Sequence, residues 1–568
     1  MLFAWLHCSV RAEAQSPKMP SPATHLRAPL LWLLLPLMAG LTAAKLWPPP
    51  AFGLLPLALI AGGLSLAAGW FALRDGRLSW VVWGLSLSLS AGLGGFVLLH
   101  ARQPQLHHWE ERPAREITVT MQVLQAFPVA PTARSLTGLG EITATGESDR
   151  ELAGRRIYYS AIRKISVPPQ RSGRYLIRGV IEPLPREPAG AGFNDYLANL
   201  GIRQKLTRAQ LISEAAPPGW FQRFFSRTED RLEDILRRGL AGHPSTTSIY
   251  LAMLLGEKAV LSTEQTNAFM RSGTFHIFSV SGLHVGVIAV ALYGGLGLLR
   301  VPRRHTAALS LLILWLYVEI TGASSPAIRA FLMIAFLLVS QVFRLPGNAL
   351  AALAASALAT LLLDPLQLFS TGFQMSYTVV VALVVMGVPL GERWLERWKP
   401  FALRPRADWR WWHTGINWGG RQLIGAAAAC WAAFLASAPA GIGYFQVFSP
   451  GSLLANLVII PLSSLAIVAG FISLLTGLAG LSSLSVLFNS AAAVTILVMD
   501  WLLQHGMELP GVWFKAHYIA DWLAPASLGF MTAVMLAGRA GGWTRRHGGY
   551  WPPVLALGLI IILGVKFG

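Results

Sequence analysis

The sequence predicts a polytopic α-helical membrane protein of about thirteen spans, with a small β-rich domain inserted outside the membrane. Three observations carry this expectation. Hydrophobic residues make up 54% of the chain and charged ones 13%, against about 25% charged in soluble domains. Apolar runs near the ~20 residues needed to cross a bilayer recur along the chain. Between residues 101 and about 217 those runs stop, and short segments rich in β-branched residues replace them.

A tail over residues 1–29, mostly polar from Arg11 onward, contains an alternative start at Met19 and is expected in the cytoplasm. Three spans follow over 30–99, at about 30–46, 52–72 and 79–99. Ten more are expected at about 276–299, 306–322, 326–343, 349–363, 369–390, 422–442, 450–478, 482–504, 522–538 and 551–567. Pro461 interrupts the run 450–478 and suggests a broken or re-entrant segment. Alternation gathers the short basic loops on one side: Arg74 and Arg77, Arg300 to Arg304, Arg344, Arg393 to Arg421, and Arg539 to Arg546. The positive-inside tendency makes that side cytoplasmic, which leaves the β-rich region and the C-terminus outside an inner membrane. The same loops account for the net charge of +19, so charge alone does not argue for nucleic acid. Cys8 and Cys430 are the only cysteines, too few and too far apart for a disulfide framework or a cysteine zinc site.

Within 101–217, ITVTMQVLQAF (117–127), EITATGE (141–147), RRIYYSAIRKISV (155–167) and RYLIRGVIEPL (174–184) read as strands of a small barrel, an OB-type barrel being one candidate. Sixteen basic and eleven acidic residues there amount to a mild excess on a solvated surface. Over 218–245, WFQRFFSRTEDRLEDILRRGL (220–240) gathers Phe221, Phe224, Phe225, Leu232, Ile235 and Leu236 on one face of an amphipathic helix. Such a helix lies along a membrane or docks on a neighbour. Residues 246–568 form the main transmembrane domain.

Four polar blocks interrupt that domain. FMRSGTFHIFSVSGLHVGVIA (269–289) places His276, Ser281 and His284 in an entering span, with Gly273, Gly282 and Gly286 for close approach. On one helix the two histidines would stand about 12 Å and ~80° apart, too far to share an ion. Ser281 shows neither a partnered base nor a Gly-Xaa-Ser-Xaa-Gly elbow. TGASSPAIRAFLM (321–333) forms a helical hairpin in which Glu319 and Arg329 sit at similar depth and are expected to pair. In LLLDPLQLFSTGFQMSYTVVVAL (361–383), Asp364-Pro365 ends one span, and Gly372, Gln374 and Ser376 open the next. APAGIGYFQVFSPGSLLANLVIIPLSSLA (438–466) carries Gln446, Asn456 and Pro461. Helix packing is the plainer reading of every block, and the residues by themselves do not choose.

SGTFHIFSVSGLHVG, GASSPAIRA, DPLQLFSTGFQMSY and SPGSLLANLVIIPL, in that order, resemble the recurring blocks of the ComEC-type competence membrane proteins. LLGEKAVLS (254–262) and FNDYLANLGI (193–202) fit the same family, and the resemblance spans about 30–540. It implies passage of single-stranded DNA across the inner membrane during natural transformation, with an OB-like domain outside. His276, Ser281, Gly282, His284, Arg329, Gln374, Asn456 and Pro461 become channel or motif residues, with no catalytic residue, metal or cofactor. The implied partners are single-stranded DNA, membrane lipids, and a separate DNA receptor, nuclease and cytoplasmic helicase or ATPase; oligomerisation stays open. Many relatives continue into a metallo-β-lactamase-like domain. No His-Xaa-His-Xaa-Asp-His cluster and no Gly-Lys-Ser/Thr phosphate loop occurs here, so neither nuclease nor ATPase activity is expected. The rivals are a transporter of another solute or polymer on this scaffold, and a structural membrane protein.

Overall fold

The computed structural model describes residues 30–568, apart from 51–52, 74–76, 103–112, 128–134, 163–168, 185–192, 257–262, 279, 344–347 and 545–547. The expected cytoplasmic tail, with Met19 and Cys8, lies outside the described residues. The rest divides into two compact units.

The first unit comprises Ala28–Thr228 and Ala354–Phe373. It opens with three apolar helices, α1 (Leu31–Leu46), α2 (Leu55–Ala72) and α3 (Arg77–Arg102). Glycine sets how closely α1 and α3 pack: a Cβ on Gly40 would lie 1.8 Å from the Gly92 carbonyl oxygen, and one on Gly95 2.6 Å from that of Leu37. Hydroxyls tie α2 to α3, with Ser65 Oγ 2.6 Å from Ser90 Oγ and Ser90 donating to the Ala61 carbonyl at 2.8 Å.

Five strands then close a barrel: β1 (Arg115–Ala126), β2 (Ser135–Thr145), β3 (Arg156–Ile162), β4 (Arg174–Pro183) and, after the short helix α4 (Phe193–Asn199), β5 (Gln204–Ala216). Their order is β1-β2-β3-β5-β4, antiparallel except between β3 and β5. Alternation does the building: Ile117, Val119, Met121 and Val123 point inward to meet Ile142, Ile157, Ile177 and Leu206. The fifth strand was missing from the four expected. Its inward Leu206 and Ala209 are separated by Arg208 at φ 51°, and that irregularity spoils the alternation. Tyr159 is fully buried in the barrel with its hydroxyl unpartnered among the described residues, and burial pushes its phenol up. On the surface Arg178 grips Glu116 at 2.7 and 3.1 Å and holds that carboxyl below its ordinary range.

The second unit comprises, among the described residues, Glu229–Leu353 and Gln374–Gly568. The amphipathic helix is present as α5 (Trp220–Arg237), and it buries Leu232, Ile235 and Leu236, whereas Phe224 stays exposed. Next come α6 (Pro244–Leu255), α7 (Thr263–Arg271), α8 (Gly282–Leu298), α9 (Arg303–Ile320), α10 (Ser325–Val342) and α11 (Ala349–Leu363). α12 (Thr371–Ala382) runs through a π turn, Leu383–Gly387, into α13 (Val388–Arg397). The remaining helices are α14 (Trp411–Phe445), α15 (Ser452–Leu478), α16 (Ser482–Met507), α17 (Leu523–Ala540) and α18 (Pro552–Gly564).

Every expected span contains a helix; eight helices are long and apolar enough to cross a membrane, four more are apolar but shorter, α1, α8, α11 and α18, and α9 is in neither group. Four details differ from expectation. The span placed at 551–567 is helical only over Pro552–Gly564, and Val565–Phe567 is a strand. The span placed at 276–299 begins only at Gly282, because a 3-10 turn at Phe275–Phe278 and a cap at Ser281 precede it. α14 starts at Trp411, inside the stretch read as a basic loop, where Arg410 and His413 cap it. α15 is one continuous helix through Pro461, neither broken nor re-entrant. Proline removes one N–H, and the Ser463 and Ser464 hydroxyls bond the Ile460 carbonyl at 2.9 and 2.8 Å, which supports the chain locally.

α6, a twelve-residue helix, lies outside the expected spans and is not among the helices long and apolar enough to cross a membrane. It is buried from Ile249 to Leu255 and forms the centre of the unit's core with Ile467, Leu474, Ile496 and Met499. Asn489 ties this core together. It accepts from Tyr250 Oη (3.0 Å) and Ser473 Oγ (2.6 Å) and donates to the carbonyls of Ile235 (2.8 Å) and Arg238 (3.0 Å). Asn489→Leu removes four bonds at once, whereas Ser473 keeps its contacts to Ser485 and the Ile235 carbonyl keeps the Arg238 N–H; the cost is on the order of 3 kcal/mol. The thermal midpoint of the detergent-solubilised chain should fall clearly; an unchanged midpoint would contradict this role.

Candidate functional site

The four polar blocks are scattered over about two hundred residues of sequence, and the second unit, which holds block three from Gln374 onward, brings parts of all four into contact. Block one turns sharply before α8. Gly273 adopts φ +68°, and a Cβ there would sit 3.0 Å from that of Ser452 at the start of α15. Ser449 donates to the Arg271 carbonyl at 2.7 Å, so the first turn of block four is fastened to block one.

Ser281 is the N-cap of α8, and His284 takes the place three residues on. Glu or Gln usually fills that place in a capping box. Here the imidazole does so: Nδ1 lies 2.8 Å from Ser281 Oγ and 3.4 Å from the Ser281 backbone nitrogen. With Nδ1 accepting, the proton is assigned to Nε2. His284 is fully buried, and its Nε2 has no partner among the described residues. The expectation that Ser281 lacks an adjacent base is therefore corrected. With no elbow and no group orienting Nε2, the contact serves as a helix cap.

His276 lies in the 3-10 turn, exposed, with Nδ1 3.2 Å from the Gly273 carbonyl. The 3-10 turn at Phe275–Phe278 and the cap at Ser281 separate the two histidines, which do not share the one continuous helix expected of them. Among the described residues, no three His, Cys, Asp or Glu side chains gather as a metal site requires.

Block two packs on block one, with Ala330 Cβ 3.8 Å from where a Cβ on Gly282 would lie. Arg329 is the centre of the arrangement. It is 1% exposed, and its guanidinium donates to Ser325 Oγ (2.6 Å) on its own helix and to Ser376 Oγ (3.2 Å) in block three. Nε is buried without a partner among the described residues. Block three reaches block four through Gln374, whose Oε1 accepts from Tyr444 Oη. Asn456 Oδ1, near the start of α15, is a further buried acceptor without a partner among the described residues. Pro461 is exposed on α15, and Gly282 is exposed at the start of α8.

The structure thus brings together Ser281, His284, Arg329 and Gln374 through contacts of their blocks, and it sets Pro461 on an outer face. The sequence reading missed the roles of Ser325, Ser376 and Tyr444. Ser325 and Ser376 were visible as small polar residues at membrane depth, but nothing in one sequence says which hydroxyl meets which cation.

Fold and site together define a multi-pass membrane protein with a polar centre built from four separated blocks. Residues 253–540, half of the chain, match the family model described as Competence protein, and the chain belongs to that family. ComE operon protein 3 of Bacillus subtilis is 32% identical over 142 residues, covering 25% of this chain and 18% of that protein. Recombination protein 2 of Haemophilus influenzae is 27% identical over 177 residues, covering 29% of this chain and 22% of that protein. The matched stretches are therefore less than a quarter of those relatives' own lengths. No solved structure matches.

Hydrogen bonds to a charged group contribute about 1.5–3 kcal/mol. Ser376→Ala should lower the thermal midpoint accordingly and Ser376→Thr should restore much of it; equal midpoints for both variants would contradict the bond. Pairing of Glu319 with Arg329 is our proposal for the counter-charge. Arg329→Ala alone should then reduce membrane abundance more than Glu319→Ala with Arg329→Ala, and equal losses would remove the pairing.

Proposed function

We propose that this chain is an inner-membrane channel subunit that passes single-stranded DNA into the cytoplasm during natural transformation. Membership of the competence family supports the process. The observation that carries the chemistry is the convergence of the four blocks on buried polar groups with spare capacity: His284 Nε2, Arg329 Nε and Asn456 Oδ1. Hydrocarbon cannot satisfy such groups. Water can satisfy all three; a sugar–phosphate backbone can accept from His284 Nε2 and Arg329 Nε, and a guanidinium is well suited to phosphate. The path runs past Ser281, Gly282, His284, Arg329, Gln374 and Asn456, with His276 at its exposed end and Pro461 shaping α15 beside it.

The closed five-stranded barrel supports an OB-type domain that receives the strand by stacking and phosphate contact outside the membrane. The basic loops support an orientation with the N-terminus in the cytoplasm and the C-terminus outside. A receptor, a nuclease and a cytoplasmic motor complete the pathway as separate proteins. Passage of another polymer on the same scaffold is the rival.

The test is entry of labelled DNA into the cytoplasm of a deletion strain from a host that takes up DNA. The strain is complemented with wild type or His284→Ala at matched membrane abundance. Entry should vanish on deletion and return with wild type, and the variant should recover less than about a tenth of it. Normal entry in the deletion strain would reject the uptake role and favour the rival.

A further inference from the structure

Three short strands in the second unit form a sheet that reaches beyond block four, which supplies only β6 (Val447–Phe448); β7 (Phe514–Tyr518) lies in the middle and β8 (Val565–Phe567) on its other side. Their register separates two chemistries. Directly opposed residues in an antiparallel pair share a face. Phe448 opposes Phe514, Ala516 opposes Phe567, and Tyr518 opposes Val565. That face is apolar and sits on the unit: Ala516 is buried, and Tyr518 Oη donates to the Pro439 carbonyl of α14 at 3.3 Å. The Phe448 and Phe514 rings each meet Phe567 edge-on, with centroids 6.2 and 6.1 Å away.

The other face is cationic. Val447 opposes Lys515, and His517 opposes Lys566, so both lysines and the histidine project from one side, all exposed. None of the ten strand residues is acidic. The sheet also adjoins the start of the polar centre. The Arg271 guanidinium lies 4.5 Å from the ring centroid of Trp513, one residue before β7, and Ser449, just after β6, holds the Arg271 carbonyl. Gly451 N donates to the Val512 carbonyl at 3.0 Å, which joins the strand to the first turn of block four.

We infer that the cationic face of the β6–β7–β8 sheet is a landing site for the phosphate backbone of single-stranded DNA, beside the entrance formed by blocks one and four. The inference rests on the DNA reading proposed above. Two exposed lysines on one flat face offer a polyanion closely spaced positive charge. The sheet lies at the start of α15 and α17 and at the end of α14 and α18, the extracytoplasmic end in the proposed orientation.

The experiment uses the full chain in nanodiscs of zwitterionic lipid and a fluorescent oligothymidylate of about 20 nucleotides, with anisotropy read against salt. Lys515→Glu with Lys566→Glu should weaken binding by about tenfold or more. Lys515→Gln with Lys566→Gln, which serves if the reversal fails to fold, should flatten the slope of log affinity against log salt by ~1.4, about 0.7 per phosphate contact. Wild-type affinity and slope in a folded variant would overturn the landing site while leaving the DNA reading intact. Absence of binding by wild type would sink the DNA reading and the landing site with it. A variant that loses only adhesion to phosphatidylglycerol vesicles would identify a lipid-headgroup surface and also overturn the proposal.

Discussion

A guanidinium buried among apolar helices has to find its partners inside the protein, because lipid supplies none. Arg329 imposes that constraint on the membrane unit. Its bonds to Ser325 and Ser376 hold α10 against α12, and the next link, Gln374 to Tyr444, carries the contact on to α14. Ser449 and Gly273 close the circuit back to the turn ahead of α8. The blocks keep their positions because each satisfies polar groups of another. Small residues at the crossings let the backbones come close enough for this.

The contrast between two polar networks separates structure from site. Asn489 uses both its oxygen and its amide hydrogens on protein partners, and it fastens α5, α6, α15 and α16 into one core. Nothing is left over for a ligand. His284, Arg329 and Asn456 each have one buried polar atom without a partner among the described residues. Capacity of that kind is expensive in a bilayer and is characteristic of a place where water or a substrate passes.

Helix existence was legible because a twenty-residue apolar run in a bilayer has no alternative that satisfies its backbone. Helix ends were less so. α8 starts at Gly282 because a histidine fills the capping place where a glutamate would have been recognised, and the start of α14 is set by the same substitution at His413. Pro461 signalled a break that the helix absorbs. β5 escaped notice because Arg208 disrupts its alternation, and β6 to β8 are too short for any period to register. For the site, residue types at membrane depth pointed to the right segments. Pairings such as Arg329 with Ser376 join positions 47 apart and depend on packing that one sequence does not display.

The central claim is that the four blocks line one wet, polar site that a nucleic-acid strand occupies. Cysteine accessibility tests it most directly in a chain carrying Cys8→Ser, since the remaining cysteine, Cys430, is buried. Single cysteines at Ser281, Gln374 and Asn456 would be compared with one at Leu497, 42% exposed on α16. A small membrane-impermeant thiol reagent, applied to the chain in nanodiscs, reports which positions meet water. The account predicts labelling at the three block positions, protection of all three by single-stranded DNA, and no labelling at 497. Three block positions as silent as 497, or labelled but indifferent to DNA, would contradict it.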